Sequence, residues 1–177
     1  MQNDRPATLF VAGTVRMERM RKKRIGRPPH SYRNEADEGW LDLEEIATIE
    51  VTSEAADYPI ESALRLQDGH GWRASESGEQ QIRIIFDEPV ALQRMQLRFH
   101  EAERERTQEF TIRWSGASGA AARETVRQQW NFSPGGSTTE IEEYVVDLEA
   151  VLVLELAIRP DLASGEATAT LASWRMG

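Results

Sequence analysis

The residues Gln81-Ile82-Arg83-Ile84-Ile85-Phe86, then Asp87-Glu88-Pro89, then Ala91-Leu92-Gln93-Arg94-Met95-Gln96-Leu97-Arg98-Phe99 decide the fold. Ile82, Ile84 and Phe86 fall on one face of an extended chain. Met95, Leu97 and Phe99 do the same, with Arg94, Gln96 and Arg98 opposite. A period of two marks a half-buried antiparallel strand. Proline between the two runs, which cannot donate to a ladder, predicts a hairpin turn at Asp87-Glu88-Pro89. Upstream, Tyr58 to Gly78 is rich in turn residues and reads as one long irregular loop.

Working outward, Ile46 to Thr52 supplies a β-branched strand on one side of this loop and hairpin. On the other side, Glu109 to Trp114 points Phe110, Ile112 and Trp114 inward and Glu109, Thr111 and Arg113 outward. Arg123 to Phe132 follows a turn at Ser115-Gly116-Ala117-Ser118-Gly119. Glu142 to Leu148 buries Tyr144, Val146 and Leu148; Val151 to Arg159 buries Leu152, Leu154, Leu156 and Ile158; Ala167 to Met176 closes the chain, with a bulge between Leu171 and Trp174. About eight strands without an amphipathic helix predict an all-β jelly-roll sandwich over 39–177.

Residues 1–38 lack either periodicity and are predicted to form a flexible basic extension. Through Gly39 the chain carries nine basic and five acidic residues, a charge of +4. The whole chain is −9, so residues 40–177 carry −13. Such a body repels phosphate backbones and anionic membranes, so a nucleic-acid role would fall to the extension. There, Arg24-Ile25-Gly26-Arg27-Pro28 resembles a single AT-hook, whose arginines, here Arg24 and Arg27, enter a narrow minor groove. Cysteine is absent and no run approaches the roughly 20 apolar residues of a membrane span. The short apolar run Leu9 to Gly13 has its basic residues mostly after it, unlike a secretory leader. The expectation is a cytoplasmic protein without a membrane partner.

The order of features from residue 40 onward resembles the discoidin, or coagulation-factor type C, domains of the galactose-binding-like jelly-roll fold. The residues that carry the resemblance are Ser62-Ala63-Leu64, Asp68-Gly69 and Gly71-Trp72, then the strands of 81–99, then Phe110-Thr111-Ile112-Arg113-Trp114 and the closing strands. The resemblance implies ligand binding through the loops at one end of the sandwich, with carbohydrate as a frequent ligand. Many members also hold a structural calcium through loop oxygens and a Glu near the start of the last strand. Ser173 stands there in this chain, and calcium prefers six to eight oxygens including carboxylates. No calcium and no other cofactor is expected.

Strand parity leads to the same end independently. In an antiparallel succession alternate connections share an end, which groups loops 55–80, 100–108, 131–139 and 160–166. The candidate ligand-binding residues there are Tyr58, His70, Arg73, His100, Glu101, Arg104, Arg106, Trp130 and Asn131. Aromatic faces and planar donors and acceptors are what a sugar requires. Competing structural readings place Trp72, Trp114 and Trp174 in the core and make Arg104 and Arg106, alternating with Glu103 and Glu105, a solvated loop.

Catalysis finds little support. Three histidines are present, His100-Glu101 has no second ligand at metal spacing, and neither a Gly-x-Ser-x-Gly elbow, a phosphate loop nor a dinucleotide fingerprint occurs. The expected function is a non-catalytic module for carbohydrate or glycoconjugate. The alternative is a protein-interaction or scaffold module, with DNA association through the extension as a third reading.

Overall fold

The computed structural model describes residues 20–24, 39–65, 70–117 and 119–177. Among them are nine strands: β1 (Arg21–Lys23), β2 (Ala47–Val51), β3 (Trp72–Ser77), β4 (Gln80–His100), β5 (Arg106–Ser115), β6 (Arg123–Phe132), β7 (Thr139–Arg159), β8 (Thr168–Leu171) and β9 (Ser173–Met176). Two one-turn helices, α1 (Leu43–Ile46) and α2 (Glu61–Leu64), complete the set. The fold is the all-β jelly-roll sandwich expected.

Its frame is a ribbon of two long strands. β4 and β7 each run for 21 residues and pair antiparallel from Gln80↔Ile158 to His100↔Thr139. Their first and second halves have different neighbours. Residues 82–86 of β4 pair with β2, and residues 153–159 of β7 pair with β5, which carries β6. Residues 95–98 of β4 pair instead with β9. The ribbon therefore belongs to both layers and folds over where its register shifts, between Ile85 and Arg94.

Asp87-Glu88-Pro89 is thus a bend within one strand, not a hairpin turn, and Glu149-Ala150 is its counterpart in β7. Ala150 takes the left-handed backbone (φ 55°) that this reversal requires. Because the bend reverses the chain between layers as a hairpin would within one, the grouping of loops by parity survives the correction.

The core lies between the layers. Ile82, Ile84, Phe86, Met95, Leu97 and Phe99 are all buried, as their alternation predicts, and Phe99 meets Phe110 with ring centroids 5.0 Å apart. Trp72 and Trp174 are fully buried and Trp114 partly so. Two positions of β5 expected outside, Glu109 and Thr111, are buried; Arg127 Nη1 (3.0 Å) and Gln129 Nε2 (2.8 Å) from β6 cover the Glu109 carboxylate.

The loop of 54–80 holds more structure than its composition suggests. Ser62-Ala63-Leu64 lies in α2, with Ala63 and Leu64 buried. Gly71 has φ +74°, and a Cβ there would sit 2.7 Å from the Leu171 carbonyl oxygen, so only glycine lets β3 enter beside β8. Trp72 then plugs the core and donates its indole N–H to the Ser53 carbonyl at 3.2 Å. Asp68-Gly69 lies outside the described residues.

The basic extension is not wholly free of the sandwich. β1 pairs with β2, from Arg21↔Val51 to Lys23↔Ile49. The acidic edge it meets explains the docking: Lys22 lies 3.1 Å from Glu50, Lys23 contacts Glu54 and lies 3.3 Å from Glu61, and Arg24 pairs with Asp87. Burial disfavours the Lys23 charge, but its hydrogen bond to Glu54 and the charges of Glu61 and Glu54 outweigh that and raise its pKa.

Candidate functional site

At one end of the sandwich β4 finishes at His100 and β5 begins at Arg106. The paired strands β3 and β8 arrive beside them, with Arg73 opposite Thr170. The Thr170 hydroxyl donates to the His100 carbonyl at 3.3 Å and joins the two pairs. A cavity of about 310 Å³ opens here, lined by Arg73, His100, Glu101, Arg104, Arg106 and Thr168 among others. A second of about 210 Å³ adjoins it, sharing Arg73, His100 and Thr170 and adding Tyr58 and His70.

The short loop between β4 and β5 is held from within. Glu101 Oε1 accepts the backbone N–H groups of Glu103 (2.8 Å) and Arg104 (3.1 Å), and the Glu101 N–H donates to the Thr138 carbonyl at 2.8 Å. Glu101 Oε2 lies 3.1 Å from Arg106 Nη2. Arg106 is buried, its side chain only 3% exposed; its Nη1 donates to the Thr168 carbonyl at 2.9 Å and its guanidinium lies over Phe132. Burial lowers the Arg106 pKa, Glu101 and Asp161 oppose that, and Arg104 and Arg73 add to it. Asp161 is itself held below the usual carboxylate range by the Ala163 N–H, the Ser164 hydroxyl and the Arg106 charge.

Arg73 is placed by β3. Its backbone N–H donates to the Tyr58 carbonyl at 3.2 Å and its guanidinium stacks 4.9 Å from the centre of the Tyr58 ring. His100 is exposed, with Nδ1 3.1 Å from the Thr139 hydroxyl, which leaves Nε2 for a ligand.

The structure brings seven of the candidate residues together: Tyr58, His70, Arg73, His100, Glu101, Arg104 and Arg106. Trp130 and Asn131 line neither cavity. Trp130 pairs with Gln108 on the inner face of β6, its indole N–H buried, and Asn131 faces outward to accept from the Thr107 hydroxyl at 2.7 Å. Edge-strand alternation set both directions. Arg24 lies at the opposite end with Asp87 and Arg27 is outside the described residues, so no AT-hook geometry can be drawn. Thr168 and Thr170 were not among the candidates; the alternation Ala167-Thr168-Ala169-Thr170, with both alanines buried, was the available signal.

Calcium does not fit the position implied for it. Ser173 pairs with Arg98 in the β9–β4 ladder and offers a hydroxyl where a carboxylate is required. Among the described residues no three His, Asp or Glu gather around a common point for a metal.

Comparison with solved structures decides the scaffold. A family 32 carbohydrate-binding module of Clostridium perfringens NanJ, solved with galactose, superposes with a TM-score of 0.58 at 12% identity, over 77% of this chain and 96% of that one. The family 32 module of AlyQ, solved with 4,5-unsaturated mannuronic acid, gives 0.56 at 15% identity, over 78% and 97%. A further Clostridium perfringens module of the same family, solved with GalNAc-β-1,3-galactose, gives 0.56 at 13%, over 78% and 99%. The scaffold is the galactose-binding-like jelly roll. No family model matches the chain, and no curated protein sequence does.

Proposed function

We propose that this chain is a non-catalytic carbohydrate-binding module of the discoidin-like type, which holds its glycan at the loop end of the sandwich. The carrying observation is the cavity where His100, Arg73 and the Glu101–Arg106 pair gather beside Tyr58. Threonine hydroxyls, an imidazole and guanidinium groups match sugar hydroxyls, and the loop that presents them is braced by its own hydrogen bonds. Similar scaffolds have been solved with galactose, an unsaturated mannuronic acid and a GalNAc disaccharide bound. The reading needs no metal and no location outside the cytoplasm.

The test is a glycan array probed with the full chain, with calcium and with chelator. The expected result is a saturable hit insensitive to chelator, weakened about tenfold by His100→Ala, the loss of roughly one hydrogen bond and its packing. A blank array, or a hit that His100→Ala and Tyr58→Ala leave unchanged, would overturn the proposal.

A protein partner is the second reading, and one observation favours it. Thr139 to Leu148 of β7 is hydrogen-bonded to β4 on one side only, and it presents Ile141 (57% exposed) and Val145 (96% exposed) to solvent. Capture of one defined partner, abolished by Val145→Lys and indifferent to sugars, would support this alternative.

A further inference from the structure

We infer that the loop-end cavity selects a sugar residue bearing a carboxylate, received by Arg73 and Arg104. The inference rests on the carbohydrate reading above and specifies its ligand.

Charge supplies the first argument. The body of the protein carries −13, yet three guanidinium groups, of Arg73, Arg104 and Arg106, line one cavity. They lie near enough for Arg73 and Arg104 to disfavour the Arg106 charge. Like charges brought together in a chain of the opposite sign cost free energy that an anion would recover.

Glu101, Glu103 and Glu166 line the cavity too, but none of them is ion-paired to Arg73 or Arg104. Glu101 is occupied on both oxygens, by two backbone N–H groups and by Arg106. Asp161 is engaged by the Ala163 N–H at 2.9 Å and the Ser164 hydroxyl at 3.0 Å. Among the described residues neither Arg73 nor Arg104 is ion-paired. Elsewhere on the surface Arg113 and Arg127 pair with Glu124 and Arg159 with Glu79, while Arg123 lies over the Trp114 ring.

Position supplies the second argument. Arg73 is held over the Tyr58 ring and Arg104 rides on the loop that Glu101 braces, so each is partly preorganised. Planar guanidinium groups grip a carboxylate through paired N–H donors, which a neutral hydroxymethyl group cannot reproduce. Beneath them, buried Arg106 faces Glu101 Oε2 through its Nη2 at 3.1 Å, so the floor of the cavity is an ion pair and the cations without one stand above it. A volume of about 310 Å³ is at the small end for ligand cavities and suits one terminal sugar residue. Exposed Glu103 and Glu166 line the same cavity and would repel a polyanion crossing it. A single carboxylate is therefore favoured over a sulfated chain or a nucleic acid.

The test titrates the full chain with galacturonate- and glucuronate-terminated oligosaccharides, their methyl esters and the matched neutral hexosides, at low and high salt. The expected result is at least about tenfold tighter binding of one uronate than of its ester. That ratio should shrink with added salt and fall towards one in Arg73→Gln and Arg104→Gln, both changes at exposed positions. Neutral hexosides or esters binding as tightly as the uronates would overturn this inference and leave the carbohydrate reading standing. Binding of no saccharide of either charge would overturn both. Equal retention of heparin and uronate would refute the selection against polyanions.

Discussion

Replacing Glu140 by glutamine should make the protein more stable above neutral pH, because Glu140 is an acid that the fold keeps protonated. It stands on the buried face of β7 opposite Phe99 and is 2% exposed. Ionised, it has no donor for either oxygen; protonated, it can donate to Glu142, which also accepts from the Tyr144 hydroxyl at 3.2 Å. Burial first, then the Glu142 hydrogen bond and charge, push its pKa from 4.5 to about 8. The folded state therefore binds the proton more tightly than the unfolded chain. Its contribution is full below the unfolded value and is lost progressively as pH rises to about 8. At about 1.4 kcal/mol per tenfold change in proton affinity, the whole span is worth at most about 5 kcal/mol. Glu142 shares the proton and the strand edge is open to water, so a loss of about 2 kcal/mol between pH 6 and 8 is the working figure. Urea unfolding of wild type and Glu140→Gln across that range measures it. The variant should match the wild type near pH 5 and exceed it by about 2 kcal/mol near pH 9. Parallel pH profiles for the two proteins would refute the reasoning.

Three further outcomes follow from other parts of the fold. Gly71→Ala, which puts a Cβ against the Leu171 carbonyl in a left-handed backbone, should lower unfolding free energy by about 2–4 kcal/mol, read as a shift in urea midpoint. Glu101→Gln leaves buried Arg106 without its counter-charge and should cost about 2–4 kcal/mol, whereas Glu103→Gln on the same loop should cost under about 0.5. Lys22→Ala with Lys23→Ala should speed amide exchange at Arg21–Lys23 and cost the sandwich less than about 1 kcal/mol, because Lys22 is largely exposed and its pairing is screened. Unchanged exchange at β1 would show that the ladder alone holds it.

Much of the fold was legible because burial and alternation coincide in the central strands. Met95, Leu97 and Phe99, or Leu154, Leu156 and Ile158, are apolar at every second position and buried at each. The bend at 87–89 misled because a strand reversing between layers needs the same residues as a turn; pairing, a long-range property, tells them apart. β3 was hidden by its sequence, Trp72-Arg73-Ala74-Ser75-Glu76-Ser77, which has no β-branched residue and is held by Gly71 and β8. In the site, the meeting of loops 55–80, 100–108 and 160–166 followed from counting reversals. The burial of Arg106 did not, since Thr168, Phe132 and Glu101 cover it from three separate segments. The direction of Trp130, which lines neither cavity, was not legible because a tryptophan near a strand end can face either side until its pairing, here with Gln108, is known.

The double membership of β4 and β7 bears on how the molecule comes apart. Neither layer can be completed until Gln80 has found Ile158 and His100 has found Thr139, contacts far apart in the chain. Such topology folds slowly, on the millisecond-to-second scale, and leaves little room for one half assembled without the other. The loops of the binding end hang from that same ribbon. A ligand captured there would resist denaturation of the entire sandwich, so a change in melting temperature would report occupancy as faithfully as any probe placed at the cavity itself.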